Sequence, residues 1–255
     1  MSAKALSGIE NSPRSTAPPT GEGRCTGCPL PGVYEDEATL PAALLDSVLE
    51  HRRLEPGAIL YRAGEKRGSI WVISDGALKT CEVDLAGCEQ VVGFHGPGEV
   101  LGLERIEIPA HHGFAMALEA TRVCRVPVER LLDHLASEPE LWRDILRIAG
   151  RQIVRAREVH RVLGRLQTGQ RLAWFLLQGA GPRRSGGAAG TGQRIYLPMP
   201  RQDIASYLGM TLESVSRSFS ALQREGLIQV DGRRVRLLDP AGLAERLLPQ
   251  DRAAA

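Results

Sequence analysis

Residues 201–227 read RQDIASYLGMTLESVSRSFSALQREGL, and their spacing decides the fold of the C-terminal part of the chain. Ala205 is small where two helices must touch, Gly209 supplies a turn that a side chain would strain, and Val215 is β-branched where a second helix locks onto the first. With Ile204 and Leu208 beside them, the segment reads as a helix-turn-helix. Downstream, LIQVDGRRVRLLD places two short strands around Asp231-Gly232, a hairpin signal, so the unit is a winged helix.

The second helix of the pair begins near Thr211. Val215, Phe219 and Leu222 fall on one face at i, i+4 and i+7 and turn inward, which leaves Glu213, Ser216 and Arg217 on the other face. Those three suit base edges in a DNA major groove. Arg217 can fork onto guanine, Glu213 can accept from a cytosine amine or align Arg217, and Ser216 can pair with or pack against thymine. Arg201, Arg224 and the wing residues Arg233 and Arg234 are candidates for phosphate contacts, which position without specifying. The plain alternative is a solvated helix face. Charge leans toward DNA: residues 166–255 hold twelve Arg, no Lys and seven acids, a net +5, against −3 in the preceding part of a chain whose total is +2.

Working toward the N-terminus, the period changes. In ELWRDILRIAGRQIVRAREVHRVLGRL the residues Trp142, Leu146, Ala149, Ile153, Ala156, His160 and Leu163 step by four and three in alternation, the a/d seam of a helix that pairs with a copy of itself. The alternative is a helix packed on its own domain. The seam contains no acidic residue, and His160 is its titratable member. Before it, from about Leu54 to Val128, short apolar runs alternate with glycine-bearing turns at the spacing of a small antiparallel barrel or sandwich.

Residues 1–24 are rich in Ser, Pro, Gly and Ala and read as a disordered arm, which ends on the motif RCTGCP. Its Cys25-x-x-Cys28 can hold a metal, hold an iron–sulfur cluster or close a redox disulfide, and the motif alone leaves all three open. The other cysteines are Cys81, Cys88 and Cys124, so no second such pair completes a zinc ribbon. At 255 residues with 43% hydrophobic and 24% charged content, two domains are expected. No long apolar run or signal-like start is seen, which implies a cytoplasmic protein without a membrane span. In that reducing compartment an odd count of five cysteines points to ligands, redox sensing or inert core thiols.

The motifs GFHGPGEVLGLE, His111-His112 followed by FAMALE, TRVCRVP, and above all Glu213-x-x-Ser216-Arg217 resemble the CRP/FNR family of bacterial transcription regulators, in its oxygen-sensing FNR branch. The resemblance covers roughly residues 40–245. It implies an α+β chain: an arm over 1–39, an antiparallel β-roll of the jelly-roll, cyclic-nucleotide-binding type over 40–138, a dimerisation helix over 139–166, and a winged helix-turn-helix over 167–255. It further implies a homodimer on double-stranded DNA, a TTGAT-type half-site in an inverted repeat, and RNA polymerase as a partner.

In the FNR branch, arm cysteines and one β-domain cysteine hold a [4Fe-4S] cluster, and Cys25, Cys28 and Cys124 match three of those positions. The third arm cysteine is absent, since PLPGVYEDE follows Cys28. Asp36 or Glu35 is the favoured replacement, with Cys81, Cys88 and an external thiol or water as further candidates. Gly98-Glu99 matches the cyclic-nucleotide branch, but IEIPAHHGFAMALE carries no arginine for the phosphate, so no cyclic nucleotide is expected. Haem would recruit His95, His111, His112 or His160, although a β-domain histidine is more often a satisfied structural group. Two further readings are a regulator with a Cys25/Cys28 dithiol switch or no cofactor, and a redox enzyme. The enzyme reading lacks a βαβ pattern around the motif and any pairing of nucleophile with base.

Overall fold

The computed structural model describes residues 49–65, 68–84, 86–106, 111, 113–179 and 192–248. Two four-stranded antiparallel sheets form the N-terminal domain. The first runs β1 (Glu50–Leu54), β8 (Thr121–Pro127), β3 (Ser69–Asp75), β6 (Val100–Leu101); the second runs β2 (Ile59–Tyr61), β7 (Gly113–Ala117), β4 (Leu78–Val83), β5 (Glu89–His95). Their facing sides bury Leu54, Leu60, Ile73, Leu78, Ala115 and Val123. β7 approaches β4 so closely at Gly113 that a Cβ there would lie 1.8 Å from the Cys81 carbonyl oxygen.

Helices cover the outer side of the first sheet, which explains the near-continuous apolar run in β3. Ile73 points to the roll interior, while Ile70 and Val72 pack beneath α1 (Val128–Ser137) and the start of α2 (Pro139–Arg165). Leu131 and Leu135 of α1 join Leu141, Ile145 and Ile148 of α2 in that core. Pro139 opens α2 where a missing N–H costs nothing, with Glu140 in its first turn and Arg165 in its last, as the helix dipole favours. Its 27 residues span about 40 Å.

The C-terminal domain comprises α3 (Thr168–Leu177), β9 (Arg194–Tyr196), α4 (Arg201–Tyr207), α5 (Leu212–Arg224), the hairpin β10 (Ile228–Asp231) and β11 (Arg234–Leu237), and α6 (Pro240–Glu245). The wing is a three-stranded sheet in the order β10-β11-β9, because RIY pairs with the far side of the hairpin. The fold is the mixed α+β arrangement that the sequence implies, an antiparallel β domain followed by helices and a helix-turn-helix.

The winged helix rests on the outer side of the second sheet. Cys81, Val91 and Phe94 of that sheet belong to the same buried cluster as Leu172, Phe175 and Phe219. Phe94, Phe175 and Tyr207 meet as tilted rings with centroids 5.1–6.1 Å apart. Beside them Lys79 Nζ donates to Asp203 Oδ1 at 2.7 Å, with side chains only 14% and 10% exposed, and Ser206 Oγ accepts from the Val91 N–H at 2.9 Å.

A buried ion pair holds partly through the cost of stranding either member. Lys79→Met leaves Asp203 buried without its cation and is expected to lower stability by about 3 kcal/mol. Lys79→Met/Asp203→Leu should recover much of that loss in a denaturant titration; a double variant as unstable as the single one would contradict this role.

Candidate nucleic-acid interface and sensor site

The turn between α4 and α5 needs a left-handed residue, and Gly209 supplies it at φ +58°. Around that turn Arg171, in the first turn of α3, makes four hydrogen bonds to carbonyl oxygens. It donates to Leu163 at 2.9 Å and Leu166 at 2.9 Å at the end of α2, and to Leu208 at 2.9 Å and Gly209 at 3.1 Å in the turn. Thr211 then caps α5, its hydroxyl accepting from the Ser214 N–H at 3.1 Å.

On α5, Val215, Phe219 and Leu222 are buried, and Glu213, Ser216 and Arg217 are exposed on the opposite face. Arg217 Nη1 lies 3.2 Å from Glu213 Oε1, so the carboxylate holds the guanidinium along the helix; at 70% and 73% exposure the pair adds little stability. The Ser216 hydroxyl donates to the Leu212 carbonyl at 3.0 Å. Arg224, Arg233 and Arg234 are exposed at the end of α5 and on the wing. Arg201, a candidate phosphate contact by sequence, sits against the helix pair. Its guanidinium stacks 3.8 Å from the centroid of Phe219 and Nη1 is buried without a hydrogen-bond partner, beside a cleft lined by Leu197, Met199, Phe219, Gly232 and Arg233. Its role in the fold is thus partly to pin α4 against α5.

The helix α2 presents two faces. Leu141, Ile145, Ile148 and Val162 are buried in their own chain, one position away from the predicted seam. Trp142, Leu146 and Ile153 are exposed by 44%, 64% and 54%; Ala156 and His160 are exposed, and Ala149 and Leu163 are half-buried. Between these faces Arg155 donates to Glu99 Oε1 at 2.7 Å and to the Phe94 carbonyl at 2.9 Å, and it also bonds Tyr207 of α4. His95 Nδ1 lies 3.1 Å from Glu99 Oε2 and its Nε2 lies 2.9 Å from Thr80 Oγ1. Burial alone would raise the Glu99 carboxyl, but the His95 hydrogen bond and the Arg155 charge outweigh it and hold the group below the usual carboxylate range. One node therefore joins the roll, α2 and α4. The sequence reasoning missed Arg155, Arg171, Lys79 and Asp203, since each acts on a partner far along the chain.

The thiols separate clearly. Cys81 is buried under the winged helix, and burial pushes its thiol up to about 11, the state of an inert core cysteine. Cys88 is exposed in the β4–β5 turn. Cys124 is fully buried in the core shared with Leu141 and Ile145 of α2, and its Sγ lies 3.4 Å from His51 Nδ1. Cys25, Cys28, Glu35, Asp36 and His112 lie outside the described residues. Among the described residues no group of three or more His, Cys, Asp and Glu could hold a metal ion. His111 is stacked on Tyr61 at 3.7 Å, as a structural ring would be. No helix among the described residues is long and apolar enough to cross a membrane.

Residues 170–246 match the Crp-like helix-turn-helix domain and residues 51–138 the cyclic nucleotide-binding domain. The chain is 34% identical over 230 residues to the transcriptional activator protein FnrA of Stutzerimonas stutzeri, covering 87% of this chain and 91% of that protein. It is 32% identical over 202 residues to the anaerobic regulatory protein of Haemophilus influenzae, covering 79% and 78%. Among solved structures, FixK2 from Bradyrhizobium japonicum superposes with a TM-score of 0.70 at 28% identity over 78% of this chain and 98% of that one.

Removing Arg171 would strand four carbonyls at the junction of α2 with the turn. Arg171→Met is expected to lower stability by about 2 kcal/mol, and Arg171→Lys to restore less than half of it, because an ammonium lacks the fixed fork. Thermal unfolding of the three proteins checks this; a full rescue by lysine would show that charge alone suffices.

Proposed function

Because the chain belongs to the CRP/FNR family of transcription regulators, we propose that it acts as a homodimer on an inverted repeat of TTGAT-type half-sites and reports oxygen or redox state through an N-terminal iron–sulfur cluster. That the chain is a DNA-binding regulator of the FNR type, and so one of anaerobic regulation, follows from its relatives and its helix-turn-helix. The observation that carries the finer reading is the outward face of α5, where Glu213, Ser216 and Arg217 stand exposed on a capped helix with the guanidinium aligned by the carboxylate. Arg217 would fork onto guanine, Ser216 would leave its own backbone carbonyl to meet thymine, and Glu213 would accept from a cytosine amine. Arg224, Arg233 and Arg234 would bind phosphates and set the register, with Arg201 steadied beneath the wing.

Pairing through α2 is favoured by its uncovered apolar side, since Trp142, Leu146, Ile153 and Val154 are each at least 44% exposed on a single helix. Two chains joined there would hold their α5 helices against successive major-groove faces, matching an inverted repeat. RNA polymerase is the expected partner at a promoter, and the cytoplasm the expected compartment. A cyclic nucleotide is not the expected ligand, because both Glu99 carboxylate oxygens are engaged, by Arg155 and His95.

The cluster reading, [4Fe-4S] by resemblance, is supported by Cys124, whose thiol belongs to the core that carries the first turns of α2. With Cys25 and Cys28 it would supply three soft donors. When bound, such a cluster supplies the chemistry with oxygen or nitric oxide. The residues of the chain would translate it by letting the packing around Cys124, Leu141 and Ile145 shift the pose of α2. A dithiol formed by Cys25 and Cys28, with no cluster, is the second reading of the same motif.

Three outcomes are expected. Arg217→Ala should cost about 1–3 kcal/mol in binding a TTGAT-type palindrome and relax the preference at the contacted guanine, read by electrophoretic shift; unchanged specificity would remove Arg217 from the interface. Leu146→Glu/Ile153→Glu should yield monomers by light scattering and weaken binding to the palindrome; a persisting dimer would reject the α2 seam. Anaerobically purified protein should contain iron and sulfide in equal amounts with a visible absorption that bleaches in air, whereas iron-free protein would favour the dithiol.

A further inference from the structure

The two half-sites of an inverted repeat sit at a fixed distance and rotation on the duplex. One base pair added between them moves them about 3.4 Å apart and turns one against the other by roughly 35°. A dimer joined through α2 rejects that change only if each winged helix is fixed in orientation against α2. Arg171 fixes one point, where the end of α2 meets the turn between α4 and α5. A body held at one point can swing about it, so a second point is required.

Arg155 supplies that point. Leu141, Ile145 and Ile148 bury the first half of α2 and Val162 buries its end, but no residue between Ile148 and Val162 is buried. Arg155 stands at the midpoint of this uncovered stretch, and Leu163, where Arg171 takes hold, lies about 12 Å further along the helix. Its guanidinium donates to Glu99 Oε1 at 2.7 Å and to the Phe94 carbonyl at 2.9 Å, and it bonds Tyr207 in the last turn of α4. Gln152, one turn earlier, donates to the Val100 carbonyl at 2.8 Å and holds the same side of α2 to the roll. Tyr207 is itself packed against the rings of Phe94 and Phe175, so a bond to its hydroxyl holds α4 and not a loose side chain. With the Arg155 side chain 48% exposed, its ion pair with Glu99 adds little stability, and its effect is on geometry.

We propose that Arg155, acting through Tyr207, sets the spacing between half-sites that the dimer accepts, by stopping the winged helix from swinging about Arg171. It is a positioning residue and touches no DNA. This rests on the reading above of a dimer on an inverted repeat. Without the bond, the two winged helices must be ordered on binding, which weakens the complex at the favoured spacing and relaxes the choice of spacing.

The test titrates full-length protein, purified anaerobically, against duplexes whose two TTGAT-type half-sites are separated by spacers lengthened or shortened one base pair at a time. A duplex with a single half-site is titrated alongside. The wild type should favour one spacer several-fold over its neighbours. Tyr207→Phe keeps the ring packing and removes only the hydroxyl; it should bind the favoured spacer several-fold more weakly and lose most of that preference, with affinity for the single half-site unchanged. Arg155→Met should behave alike. A variant that keeps the wild-type preference, that loses half-site and palindrome affinity equally, or that is monomeric by light scattering would overturn the role, as would a wild type indifferent to spacing. A wild type that binds the palindrome no better than one half-site would overturn the dimeric reading itself.

Discussion

The Arg171 guanidinium bonds carbonyls from two places, the last turn of α2 and the turn that separates α4 from α5. Helix ends leave carbonyls without intrahelical partners, and a turn does the same. One planar fork serves both sets, so the orientation of the recognition helix is referred to the axis of α2 through a single rigid group. Gly209 makes this possible, because a Cβ at that position would press on Arg171 Nη1 at 3.4 Å in a backbone conformation that already disfavours a side chain. Arg171 therefore links the end of α2 to the turn before α5 over a short path of hydrogen bonds.

A second set of contacts works from the other side. Lys79 and Asp203 tie β4 to α4, Arg155 ties α2 to Glu99 and to Tyr207, and the rings of Phe94, Phe175 and Tyr207 fill the space between them. The first sheet carries Cys124 and the base of α2, and the second carries the winged helix. The recognition helix is thus held at two points, by α2 and by the roll. A device that shifts one against the other has a physical route to the DNA-binding face.

Much of this was legible in the sequence because it depends on local pattern. The spacing of Val215, Phe219 and Leu222 gave the buried side of α5, and Asp231-Gly232 gave the wing hairpin, since helix and turn geometry are fixed by near neighbours. In α2 the same periodicity holds two apolar stripes one residue apart, Leu141-Ile145-Ile148 and Trp142-Leu146-Ala149, and spacing cannot say which one meets the chain's own core. Contacts between residues distant along the chain were not legible. Asp203 is buried against Lys79, more than a hundred residues away in the sequence, and Arg201, a candidate phosphate contact by sequence, also stacks on Phe219.

In the proposed function, thiol-bound chemistry near Cys124 governs the DNA-reading face of α5. The most direct test titrates a labelled TTGAT-type palindrome with anaerobic protein, then repeats the titration with the same sample after exposure to air while its visible absorption is followed. The proposed coupling of cluster to α5 requires tight, sequence-specific binding at first and a loss of affinity that tracks the bleaching. Equal affinity before and after bleaching would contradict it.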